Sequence, residues 1–367
     1  MKKVLALCFA VLLLSGCSWM EGSYVSVTPH VVTPDPDPEG TIQVSSYSQL
    51  RSALTDLVDA GAVHGLFSLS DYPQDQIRAD MYLAANYVQT SYPIGVYAVE
   101  SIKYDLGTDG RQNAMSVDIT YRHGKSEIDR IQTVWSVSGA KTAVAAALRQ
   151  YEPSIVLQIT NYEPTDFAQM VADYASEHPQ IIMESPQVTE GIYPSSGDVR
   201  IVELVFTYQT SRDSLRTMQT KVLPVFSSAQ LYVSQDAGEK VQFTQLYTFL
   251  TERFDYTIET SITPSYSLLC HGVGDSKAFA QVYAAMCSQV GLECMVVSGT
   301  HNGESRFWNI VCVDGVYYHV DLLRSLQESG YIQRRDTDMQ GYVWDYSAYP
   351  VCGVEPEPEE TAPSPQP

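Results

Sequence analysis

The chain has 367 residues, enough for two or three domains with a sizeable core, and its apolar (44%) and charged (18%) fractions are those of a globular protein. Its formal net charge of −21 opposes nucleic-acid phosphates and anionic lipid headgroups alike, which excludes both as electrostatic partners.

The chain opens on "MKKVLALCFAVLLLSGC". Lys2 and Lys3 form a charged n-region, and Val4 to Leu14 an apolar run too short to span as a mature helix. Leu14-Ser15-Gly16-Cys17 resembles the lipobox of bacterial lipoproteins, where cleavage precedes the Cys and the thiol carries diacylglycerol. The resemblance implies a signal peptide over 1–16, lipidation at Cys17, and a protein held on the cell membrane, facing outside the cytoplasm. Each buried CH₂ of such chains contributes about 0.8 kcal/mol. Residues 17–40 include "TPHVVTPDPDPEG", which reads as an extended tether, and the acidic, Pro-rich tail 353–367 reads as disordered.

Two stretches of similar pattern follow at a period of about ninety residues. "SQLRSALTDLVDAG" and "AKTAVAAALRQYEP" carry apolar residues at helical spacing: Leu50, Leu54 and Leu57 in the first, Val144, Ala147 and Leu148 in the second. Each leads to a short strand ("HGLFSLSDYP", "SIVLQITNYEP"), a second helix ("AANYVQTSYP", "VADYASEHP") and two β segments closing on "SVDITYR" or "VELVFTYQ". Residues 41–136 and 137–225 thus read as two α-β-α-β-β modules, each a small sheet with helices on one face. Neither carries a catalytic set.

The pattern changes from residue 226. "VQFTQLYTFLTERFDY" predicts an amphipathic helix burying Phe243, Leu246, Tyr247, Leu250 and Phe254. "HGVGDSKAFAQVYAAMCSQVGLEC" predicts another, capped by Asp275 or Ser276, burying Phe279, Val282, Met286 and Val290, and ended by Gly291 at C′. A strand "CMVVSG", a loop with His301 and the hairpin "RFWNIVCVDGVYYHVDLL" complete the segment. Cys270, Cys287, Cys294, Cys312 and Cys352 all lie in this last third, with no CxxC and no zinc-site spacing. They read as small core residues with one bridge at most. No metal or cofactor is expected.

Over roughly Val241 to Cys352 this succession, closed by "GYVWDYSAYPVC", resembles the bacterial transglutaminase-like (papain-like thiol enzyme) superfamily. The resemblance implies an α+β domain over 226–352 after the two modules. It also implies a site in which a thiolate at a helix N-terminus is activated by a His that an Asp orients. Active members open the helix on a pattern like G-V-C-x-G-Y-A and carry H-A-W-N on the first hairpin strand. Here these fall on "GDSKAFA" and "RFWN", placing Ser276 at the nucleophile position and Arg306 at the base position. Trp308, Asn309 and Asp321 keep the pattern.

Asp314-Gly315 signals a two-residue turn. Pairing Val313 with Val316 sets Trp308 opposite Asp321 and Arg306 opposite Leu323, all on one face, with Arg306 diagonal to Asp321 and within salt-bridge reach. A guanidinium keeps its proton and cannot serve as general base. Losing that partner forfeits roughly 10²–10⁴ in rate, and a Ser hydroxyl has almost no anion to offer without it. Ser276 reads instead as an N-cap. His319 shares the Trp308 face but lies opposite residue 310, nearer the turn, and adjacent Cys270 and His271 tend to point apart. The expectation is a transglutaminase-like pseudoenzyme whose cleft of Ser276, Arg306, Trp308 and Asp321 binds peptide, cell-wall or protein ligands, with Arg306 able to hold a carboxylate. The alternatives are an active cysteine peptidase or amide-transfer enzyme using a relocated thiol, a Ser hydrolase using Ser276 with a distant His, a solute-capturing lipoprotein, and a structural tether.

Overall fold

The computed structural model describes residues 40–107 and 114–355. The leader, Cys17, most of the tether and nearly all of the tail lie outside the described residues. Two compact units emerge, one holding the chain to Asn86 with Glu100–Tyr121, the other holding Tyr87–Val99 and the chain from Arg122.

In the first unit, β1 (Ile42–Gln43) leads to helix α1 (Tyr47–Asp59), then β2 (His64–Ser68), α2 (Ile77–Thr90, which runs on into the second unit), and strands β3 (Val99–Leu106) and β4 (Ala114–Tyr121). Ser46 caps α1 through the Gln49 amide, and Leu50, Ala53, Leu54 and Val58 form its buried stripe. The strands lie in the order β1-β2-β4-β3. β1 runs parallel to β2, and β4 antiparallel to it.

The second unit takes α3 (Pro93–Ala98), α4 (Lys125–Ile128), β5 (Gln132–Ser136), α5 (Val137–Arg149), β6 (Ser154–Asn161), α6 (Phe167–Glu177), β7 (Gln187–Tyr193) and β8 (Arg200–Thr207). Its first sheet has the order β5-β6-β8-β7, the same permutation, again with its leading strand parallel to the next. The structure therefore adds an edge strand in front of each α-β-α-β-β pattern. Because β5 pairs with β6, it belongs with the strands that follow it, although the sequence reading put residues 132–136 in the preceding module.

The remainder comprises α7 (Arg212–Tyr232), α8 (Glu239–Thr251), α9 (Pro264–His271), α10 (Ser276–Gln289), β9 (Cys294–His301), β10 (Glu304–Val313), β11 (Val316–Val320), α11 (Leu322–Glu328) and β12 (Tyr342–Trp344). The boundary read at 225/226 falls inside α7. Leu215, Val222, Phe226 and Ala229 of α7 join one buried cluster with Phe243, Leu250, Phe279, Val282 and Met286, and also with Tyr151 and Met183. Helix α8 stops at Thr251, so Phe254, expected on its buried face, is 36% exposed.

The last sheet has the order β11-β10-β9-β12, antiparallel throughout. Val313 pairs with Val316 around Asp314 and Gly315, both at positive φ (51° and 81°), which is the backbone a two-residue turn requires. This register is the one read from the sequence. β11, however, ends at Val320. Leu323 lies in α11 and has no strand partner opposite Arg306.

Candidate functional site

Helix α10 sets its N-terminus against β10, one of the two inner strands of the sheet. Asp275, not Ser276, is its cap: the carboxylate accepts the Ala278 amide at 2.9 Å. Ser276 is the first helical residue, and its Oγ accepts the backbone amide of Phe307 at 3.2 Å. Ser276 thus meets β10 at the residue beside Arg306, through main chain. The helix is further fixed by Asn309, whose amide donates to the Ala280 carbonyl at 2.9 Å.

Arg306 and Asp321 form a bidentate pair. Nε donates to Oδ2 and Nη2 to Oδ1, each at 2.7 Å. Asp321 also caps α11, accepting the Arg324 amide at 3.1 Å, and accepts the Tyr342 hydroxyl at 2.7 Å. Each carboxylate oxygen therefore accepts two hydrogen bonds. Burial and the Asp321 charge push the Tyr342 hydroxyl up to about 12, so it stays a donor. Asp321 itself is 1% exposed.

Trp308 does not line a cleft. It is fully buried, edge-on to Tyr342 and Trp344, and its indole N–H donates to His319 Nδ1 at 3.0 Å. That bond fixes the imidazole. An indole only donates, so Nδ1 must accept and Nε2 must carry the proton, which it gives to Asp336 Oδ1 at 2.8 Å. Burial lowers the His319 pKa, partly offset by Asp336, and favours this neutral form. Of the four cleft residues expected from sequence, only Ser276 and Arg306 reach solvent; Asp321 is buried against Arg306, and Trp308 is buried away from both.

His319, Asp336 and Cys352 place a ring nitrogen, a carboxylate oxygen and a sulfur within 4.8 Å of one another. A metal on Nε2 would send the ring proton to Nδ1, against the Trp308 N–H, so the residues do not fit a metal. The same bonds leave His319 no lone pair with which to take the Cys352 proton. Burial, reinforced by Asp336, raises that thiol to about 12. Burial also raises the Cys270, Cys287 and Cys312 thiols. All five described cysteines are free, so the bridge allowed from sequence is absent among the described residues.

Beside the Arg306–Asp321 pair lies a cavity of about 550 Å³, lined by polar side chains that include His301, Asn302, Arg306, Arg324 and Glu328. His301 stacks on Tyr342 with centroids 4.2 Å apart. Sequence reasoning missed Tyr342, Arg324 and the side of the sheet on which this cavity opens. The Tyr-Val-Trp run of β12 signals a strand, but not its pairing with β9.

Residues 229–322 match the model of the transglutaminase-like superfamily, and the chain carries a domain of that superfamily there. No curated protein matches the chain significantly. One similar solved structure is described as that of a TGase, at 9% identity over 46% of this chain and 50% of its own, with a TM-score of 0.25. Another, described as a "putative protease" from Parabacteroides distasonis, shares 11% identity over 62% of this chain and 52% of its own, with a TM-score of 0.22. The chain spans about half the length of each.

Proposed function

We propose that this chain is a lipid-anchored protein of the cell surface whose transglutaminase-like domain binds its ligand without transforming it. The observation that carries the reading is the saturated Asp321 carboxylate. With two guanidinium donors, one hydroxyl and one amide on it, it has no remaining lone pair with which to orient an imidazole, and the side chain at the base position is a permanent cation. Ser276 has a main-chain amide as its partner and no base among the described residues. The ligand classes that suit such a cleft are peptides, cell-wall components and protein segments. The anchor, at Cys17, rests on the leader sequence alone.

The test is the paired substitution Ser276→Cys with Arg306→His, assayed for release of ammonia or amine from peptide amides beside the natural protein. Turnover in the substituted protein alone supports a disarmed scaffold. Turnover by the natural protein would refute it. Iodoacetamide labelling at neutral pH gives the second arm: the raised thiols of Cys270, Cys287, Cys312 and Cys352 should react slowly, whereas rapid labelling of any of them would point to a relocated thiol enzyme.

A further inference from the structure

We propose that the cavity beside Arg306 is a receptor for a peptide carboxylate, a specification that rests on the non-catalytic reading above. A guanidinium is a planar fork with more than one edge able to grip a carboxylate. Asp321 occupies the inner edge, Nε and Nη2. Nη1 has no hydrogen-bond partner among the described residues, and the side chain is 20% exposed where it lines the cavity. The outer edge, Nη1 with the second proton of Nη2, is therefore presented outward.

His301 lines the same space. His301 Nε2 lies 3.3 Å from Asn302 Nδ2, an amide that only donates, so Nε2 accepts and the proton sits on Nδ1. The stack on Tyr342 holds the ring in place.

The charges around the cavity favour an anion. Arg306 is neutralised by Asp321, but Arg324 and Arg334 share the single carboxylate of Glu328. This linked set carries three guanidiniums against two carboxylates, an excess of one positive charge within a chain of net −21. Arg334 does not itself line the cavity; it is 5% exposed and adds its charge through Glu328, which does. Buried cationic donors are stabilised by a nearby anion.

The form in which the carboxylate arrives follows from the sheet. Gln340 and Gly341 of the cavity wall run directly into β12, the edge strand, whose outer side pairs with no described strand. An extended peptide can pair there, and because β9 stands between β12 and Arg306, its carboxylate must lie on a segment that continues past the strand into the cavity.

Isothermal titration of the natural protein would compare acetyl-Ala-Ala-Ala as free acid, the same peptide as C-terminal amide, acetyl-Ala-Glu-Ala amide, glucuronic acid and sulfate. We expect at least one carboxylate peptide to bind tenfold or more tightly than the neutral amide, glucuronic acid or sulfate. Arg306→Gln with Asp321→Asn should remove that preference. His301→Phe, which keeps the ring stack and so guards against a folding artefact, should reduce it at least threefold. Equal binding of acid and amide, no binding by either, or equal binding of glucuronic acid or sulfate would overturn the proposal. Assaying ammonia in the same mixtures keeps failure of the binding site distinct from failure of the non-catalytic reading.

Discussion

Asp321 accepts four hydrogen bonds on two oxygens, and that saturation governs its surroundings. Removing Arg306 alone leaves a buried carboxylate without its counter-ion, which costs about 3 kcal/mol. Arg306→Leu should therefore lower the urea midpoint substantially, whereas Arg306→Leu with Asp321→Asn should be milder, because no buried charge is left unpaired. A double variant no more stable than the single one would show that the pair is not a coupled unit. His319 gives a second expectation. Its folded pKa lies below the ordinary 6.5, so below about pH 6.5 the unfolded chain binds more protons than the folded one. Stability should be insensitive to this group above pH 7 and fall as the pH drops through 6.5 toward 5. In thermal melts, His319→Gln should flatten that slope, and an unchanged slope would place the effect elsewhere. The Arg306–Asp321 contact was legible in the sequence, because the Asp-Gly turn fixes the register as far as Asn309 and Val320 and Asp321 follows directly, although it caps a helix instead of extending the strand. The burial of Trp308 was not, because it depends on β12, which arrives from more than thirty residues away in the chain and closes over the same face.

At the scale of elements, α10 and the β10–β11 hairpin were readable because each carries its own punctuation: an Asp cap and Gly291 at φ 81° for the helix, Asp314-Gly315 for the turn. Helix α7 was missed. Pro224 sits inside it and reads as a breaker, although Ser211 caps it and Leu215, Val222, Phe226 and Ala229 keep a helical stripe. β1 and β5 were missed for another reason: a short edge strand has no alternation of its own, and its pairing is decided by the neighbour it meets. The helix has a measurable consequence. Leu215 and Val222 belong to the same buried cluster as Phe243 and Phe279, with Tyr151 and Met183. A fragment of residues 226–355 loses these contacts, each fully buried large apolar side chain contributing about 1.5–3 kcal/mol. We expect that fragment to give no cooperative urea transition, whereas residues 40–355, which keep Tyr87–Val99 with the second unit, give one. Cooperative unfolding of 226–355 would show that the α7 contacts are dispensable.

For the whole molecule, the decisive quantity is the mismatch between a net charge of −21 and a cavity whose linked ion pairs carry one excess positive charge. An approaching acidic peptide first meets the field of the entire surface, which repels it, and feels Arg306 only at close range. The Debye length falls from about 30 Å at 0.01 M salt to about 8 Å at 0.15 M, so added salt removes the long-range repulsion before it weakens a partly buried contact. The association rate of a carboxylate peptide should therefore rise between these two ionic strengths, opposite to the usual behaviour of a cationic site. The dissociation rate should change little, because the bound carboxylate sits against a guanidinium sheltered by the cavity wall. Stopped-flow or surface-based kinetics on acetyl-Ala-Glu-Ala amide would measure both. An association rate that falls with salt would mean that the local cationic cluster, not the acidic surface around it, dominates the approach.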